Sequence, residues 1–115
     1  MDSKRLIRVG SLLRDELTNV ILRGTKDPRI DTLVSITELE VSRDLSLAKV
    51  YVSYYGSKEK REEIIRALNH AAGFFQREVA ARVRLRFTPH FVFVYDESIE
   101  RGFRVTETLK KLNNS

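Results

Sequence analysis

Residues 48–55 read Ala48-Lys49-Val50-Tyr51-Val52-Ser53-Tyr54-Tyr55, and everything else in the chain can be placed relative to them. Successive side chains of a strand point to opposite faces. Ala48, Val50, Val52 and Tyr54 therefore share one face, while Lys49, Tyr51, Ser53 and Tyr55 share the other. Upstream, residues 33–42 are rich in β-branched side chains and predict a preceding strand. Its alternation changes phase, with Val34 and Ile36 in one register and Leu39 and Val41 in the other. A bulge near Thr37 or Glu38, or burial on both faces, would account for that. Arg43-Asp44-Leu45-Ser46 leaves room only for a tight connection, so the two strands form an antiparallel hairpin.

Downstream, Gly56 and Ser57 end the second strand, and Ser57 is a candidate N-cap with Glu59 and Glu62 placed to favour a helix dipole. Apolar residues then recur at helical spacing from Ile64 to Val83. Gly73 interrupts them at a cost of ~1 kcal/mol relative to Ala, which predicts two helices joined at Ala71-Ala72-Gly73. Thr88-Pro89 breaks the pattern, and residues 90–95 form a third strand of nearly continuous apolar character. Before the hairpin, Leu6, Val9, Leu13, Leu17, Val20 and Ile21 define an amphipathic helix over residues 4–23, capped by Asp2 or Ser3 and stopped by Gly24 and Pro28. Lys26-Asp27-Pro28-Arg29 then redirects the chain. After the third strand, Asp96 or Ser98 caps a final helix carrying Ile99, Phe103, Val105, Leu109 and Leu112. The expected class is α+β, with helices on one face of a three-stranded sheet. The helical crossover is expected to lay the third strand parallel to the first.

With 115 residues the chain has room for one domain, spanning residues 1–115. It lacks Cys, which excludes disulfides, thiolate nucleophiles and Cys-based metal sites. No apolar run approaches the ~20 residues of a membrane span, and Lys4, Arg5 and Arg8 interrupt any signal-like segment. A cytoplasmic monomer is expected. No Walker loop, dinucleotide fingerprint or His-Glu-x-x-His occurs, and His70 and His90 fall on different elements. Neither catalysis nor a cofactor or metal is expected.

Charge is the positive clue. Lys and Arg number 21 against 16 Asp and Glu, a net +5, and the surplus is uneven. Residues 74–88 alone carry Arg77, Arg82, Arg84 and Arg86 against Glu78. Lys4, Arg5 and Arg8 cluster on the polar side of the first helix. Guanidinium forks match phosphate oxygens, so these seven residues are the candidate contacts to a nucleic-acid backbone. Dipole compensation at a helix end is the other reading of Arg82 to Arg86. Tyr51 and Tyr55 could stack on bases or simply pack.

The order of elements is that of the type II KH fold, an RNA-binding scaffold, but no Gly-x-x-Gly occurs. At its place Ala71-Ala72-Gly73 resembles the Ala-x-Gly interhelical kink of the ribosome-binding factor A family. Other parts of the resemblance are Lys26-Asp27-Pro28-Arg29, Val41-Ser42-Arg43-Asp44-Leu45, Ala48-Lys49-Val50-Tyr51-Val52-Ser53, Phe74-Phe75, Leu85-Arg86 with Pro89, and Phe93 with Asp96. Departures are Gln76, where the family usually has Arg, and His90-Phe91, where an acidic residue and Leu are usual.

The resemblance implies a bacterial assembly factor that binds the immature small ribosomal subunit. It implies assistance in late maturation of 16S rRNA, including 5′-end processing, importance in the cold, and release by a ribosome-associated GTPase. Gly73 would allow close approach of RNA. Two other readings stay open. One is a protein-protein adaptor on the ribosome; the other is a generic single-strand RNA binder.

Overall fold

A computed structural model of the chain describes residues 3–23, 30 and 34–98. The turn expected at residues 26–29 and the final helix expected after Asp96 lie outside the described residues. Within them the order is α1 (Ser3–Leu22), β1 (Val34–Val41), β2 (Leu47–Tyr54), α2 (Lys58–His70), α3 (Ala72–Arg82) and β3 (His90–Tyr95). The three strands form one sheet in the order β1-β2-β3. No described helix is long and apolar enough to cross a membrane.

β2 is the central strand, and its alternation decides which face is covered. Ala48, Val50 and Val52 are almost wholly inaccessible, and the helices pack over them. β1 pairs with β2 antiparallel, and the register shifts between Ile36 and Glu38. Thr37 is the extra residue. Ile36 stands opposite Val52 while Glu38 stands opposite Tyr51, so the phase change seen in the sequence is a bulge. Because of it Val34 and Ile36, then Leu39 and Val41, all reach the helix-covered face. The Thr37 hydroxyl donates to the Asp96 carboxylate at 2.6 Å, joining the bulge to the end of β3.

β3 corrects one expectation. It pairs with β2 in parallel, from Leu47 opposite His90 to Val52 opposite Tyr95. It therefore runs antiparallel to β1. The crossover leaves the end of β2 and returns to β2's own starting edge, so β2 is the strand whose direction β3 repeats.

The crossover contains the expected break, and its position is Ala71. That residue has φ −90° and ψ 6°, serving as C-cap of α2 and N-cap of α3. Ser57 caps α2 as expected, its hydroxyl accepting from the Lys60 N–H at 3.2 Å. Gly73 lies inside the first turn of α3 rather than at the break, and it needs no unusual backbone. Phe75 of α3 meets Phe93 of β3 edge-on, with ring centroids 5.6 Å apart and both rings fully buried. Such a pair contributes ~0.5–1.5 kcal/mol beyond its area. On the other side of the core, α1 buries Val9, Leu13, Leu17, Val20 and Ile21. α1 passes β1 at Gly10, where an added Cβ would make an ordinary van der Waals contact 3.4 Å from the Leu39 carbonyl oxygen.

Among the described residues no strand pairs with the outer edge of β3, and α2 closes part of that edge. The Asn69 side chain donates to the Phe93 carbonyl at 2.9 Å and accepts from the Phe93 N–H at 2.8 Å. One amide thus replaces a missing strand partner at that residue, which also blunts edge pairing with another chain. Asn69→Ala should lower unfolding stability by about 1–3 kcal/mol in a denaturant titration, since both backbone groups lose their partner. Asn69→Asp should not restore it, because an ionised carboxylate cannot donate to the Phe93 carbonyl.

Candidate nucleic-acid interface

The tip of the β1-β2 hairpin is held by its own side chains. The Ser42 N–H donates to the Leu47 carbonyl at 2.8 Å, and the Leu45 N–H donates to the Ser42 carbonyl at 2.9 Å. Leu45 adopts φ 62°, the left-handed region that costs a branched residue on the order of 1–3 kcal/mol. Its half-buried side chain packs against the core and offsets part of that cost. Asp44 fixes the turn: one carboxylate oxygen accepts from the Ser42 hydroxyl (2.8 Å), the Ser46 N–H (3.0 Å) and the Ser46 hydroxyl (2.7 Å). The Ser46 hydroxyl and amide, with Ser42, lower the Asp44 pKa to about 2. Arg43 stands at the tip with its side chain exposed.

The segment between α3 and β3 is pinned against that tip. Val83 and Pro89 are buried and Leu85 packs on the core, whereas Arg84, Arg86 and Phe87 are exposed. The Gln76 amide donates to the Thr88 carbonyl at 2.9 Å, and the His90 N–H donates to the Ser46 carbonyl at 3.0 Å. Gln76 is thus half-buried and occupied within the fold, where it serves the loop's geometry.

The first turns of α1 complete the arrangement. α1 lies along β1 with Leu6 and Gly10 beside Leu39 and Val41, so its N-terminal end reaches the hairpin tip. A cleft of about 350 Å³ opens where the three segments meet, lined by Arg5 and Val9, Arg43 to Leu45, and Leu85 to Phe87. Three guanidinium groups and one carboxylate give it a local charge of +2. Among the described residues, no carboxylate lies within ion-pair distance of Arg5, Arg43 or Arg86.

The seven basic residues singled out from the sequence are all exposed, but they do not form one group. Arg5 and Arg86 converge on the cleft. Lys4 and Arg8 lie on the same first turns of α1, and Arg84 on the same loop as Arg86. Arg82 is committed elsewhere, to the Glu78 carboxylate at 2.9 Å and the Glu78 carbonyl at 2.7 Å. Arg77 stands midway along α3 and reaches back toward its N-terminal end, a guanidinium nitrogen lying 3.6 Å from where a Cβ on Gly73 would sit. Eleven helical residues, about 16 Å at 1.5 Å each, separate that end from the cleft.

Arg43 was missed among the candidates because it reads as a turn residue, and only the pairing of β3 with β2 brings Arg86 to it. Tyr51 is half-buried, with the Lys49 ammonium 5.2 Å from its ring centroid, while Tyr55 is exposed. No group of three or more metal-ligating side chains occurs among the described residues.

What the cleft offers chemically is anion recognition. Its donors are permanently charged and its floor is apolar, and Asp44 is occupied by its own turn. The folded pKa of Asp44 lies below the ordinary value of 3.8, so its contribution to stability is complete above that value and is lost as pH falls through about 2. The Ser46 amide resonance should therefore titrate with a midpoint of about 2 in a pH series followed by NMR. Asp44→Ala should remove that step.

Known proteins share this sequence pattern and this fold. The family model of ribosome-binding factor A matches residues 5–109. The ribosome-binding factor A of Caldanaerobacter subterraneus subsp. tengcongensis is 46% identical over 106 residues, covering 92% of this chain and 87% of the relative. The solution structure of a Thermotoga maritima protein described as a putative ribosome binding factor A superposes with TM-score 0.70 at 33% identity, over 82% of this chain and 89% of that one. A homology model of Thermus thermophilus ribosome binding factor A, fitted into a cryo-EM map of a 30S complex, superposes with TM-score 0.62 at 28% identity, over 76% and 91%. The hairpin, the break at Ala71 and the pinned loop after α3 all fall within the matched region, and the chain belongs to the ribosome-binding factor A family.

Proposed function

We propose that this protein binds the immature small ribosomal subunit through rRNA phosphates and assists late 16S rRNA maturation, including processing of the 5′ end. It acts as a non-catalytic RNA chaperone, a monomer in the cytoplasm. The observation that carries this reading is the convergence of Arg5, Arg43 and Arg86 on one cleft without carboxylate partners among the described residues. Support for the ribosomal partner comes from the family and from the Thermus thermophilus relative fitted into the map of a 30S complex.

A binder without bond chemistry acts through differential affinity. If it holds one rRNA conformation more tightly than another, it shifts the folding equilibrium of the subunit by that difference, about 1.4 kcal/mol for each factor of ten. Lys4, Arg8 and Arg84 extend the grip around the cleft. Arg77 beside the Ala71-Ala72-Gly73 bend forms a second, separate contact. Release by a ribosome-associated GTPase, and importance in the cold, follow from the family resemblance.

The triple variant Arg5→Gln, Arg43→Gln, Arg86→Gln should bind purified small subunits more weakly. Its plot of log affinity against log salt should flatten by up to ~0.9 for each lost duplex phosphate contact. Arg82→Gln should change both far less, since Glu78 already neutralises that charge. Unchanged affinity and slope in the triple variant would reject the cleft as the rRNA contact.

A further inference from the structure

The cleft holds one feature that phosphate binding leaves unused. Phe87 lines it, yet 62% of the residue is exposed, on a loop that is otherwise fixed by Leu85, Pro89 and the Gln76 amide. A large aromatic ring left in water at a fixed position loses the ~25 cal/mol per Å² that its burial would give. The loop does bury Val83 and Leu85, so apolar side chains have access to the core here. The Arg86 guanidinium lies over the Phe87 ring, 5.6 Å from its centroid, adding positive potential at that face. Val9, Leu45 and Leu85 add apolar lining to the same cleft.

An aromatic ring, apolar lining and guanidinium groups without a carboxylate partner among the described residues are the parts that a nucleotide with an unstacked base would use. A base paired within a helix cannot present its face, whereas an unpaired one can. We propose that this cleft takes an unpaired nucleotide of single-stranded RNA, its base stacked on Phe87 and its flanking phosphates held by Arg5, Arg43 and Arg86. The inference rests on the rRNA-binding reading and narrows it: the segment gripped at this end of the sheet is unpaired. The site is remote from the Ala71-Ala72-Gly73 bend, so it is separate from any contact made there.

The chain contains no Trp, so Phe87→Trp places a single reporter in the cleft. Hexaadenylate should quench its fluorescence saturably. An RNA duplex of twelve base pairs and inorganic polyphosphate should compete for the charges without quenching. Phe87→Ala should weaken hexaadenylate binding between about five- and 150-fold, the range for one stacked base, while leaving the salt slope unchanged. Circular dichroism of both variants checks that they fold, and an exposed ring tolerates either change.

If hexaadenylate or small subunits bind Phe87→Trp without quenching, or Phe87→Ala binds hexaadenylate as the parent does, the stacking proposal is overturned while rRNA binding stands. Absence of any hexaadenylate binding at millimolar concentration also overturns it. Failure of the parent protein to bind small subunits would instead overturn the wider reading.

Discussion

The parallel alignment of β3 on β2 is the constraint on which both fold and site depend. With His90 opposite Leu47, β3 must begin where β2 begins, beside the hairpin tip. The chain leaves β2 at the other end, so it has to travel back the length of the sheet before β3 can start. α2 and α3 make that journey on one face, which is why Phe75 and Val79 are available to cover Val50, Val52 and Phe93. It also means that the last residues of the crossover, 84–89, are delivered to the hairpin tip. The meeting of Arg86 with Arg43 is therefore a consequence of strand direction.

Thr37 makes the same sheet usable along its whole length. Without the extra residue, Leu39 and Val41 would point away from the helices and two core positions would be lost to solvent. Burying such a side chain in full contributes about 1.5–3 kcal/mol; Leu39 and Val41 are half-buried and gain part of that, and the Thr37 hydroxyl offsets the disturbed ladder by bonding Asp96. Asn69 works in a similar way at the opposite edge, where a side-chain amide supplies both hydrogen bonds that an absent strand would have made. In each case a polar side chain satisfies backbone or bulge geometry, and the apolar residues then fill the space between.

Which cations matter is decided by what surrounds them. Arg82 and Arg86 are four residues apart and equally basic, yet Arg82 is paired with Glu78 and presents little net charge to a polyanion. Arg86 has only the Phe87 ring beside it among the described contacts. An exposed ion pair is worth ~0–1 kcal/mol, so the difference is one of field rather than stability. The same distinction separates Gln76, absorbed by the Thr88 carbonyl, from Arg77, which stands next to it in sequence and lies over Gly73.

Local chemistry was legible in the sequence because it is written in short periods. Alternation at 48–54 marked β2, the phase slip pointed to a bulge near Thr37 or Glu38 or to burial on both faces, Ser57 marked the start of α2, and the small residues at 71–73 marked the break between helices. The Ala-x-Gly bend and the hairpin residues also carried the family. The direction of β3 relative to β1 was misjudged, Arg43 went unnoticed, and seven basic residues were counted as one set. Those three depend on which distant segments lie side by side. A run of alternating apolar residues says that a strand has a buried face, but hydrogen-bond partners and the convergence of charges are set only when β2, β3 and α1 pack. Residue types therefore determined the elements and the surplus of positive charge, while the strand pairing decided that Arg5, Arg43 and Arg86 share a cleft, because only a folded sheet brings together positions 38 and 43 residues apart in the chain.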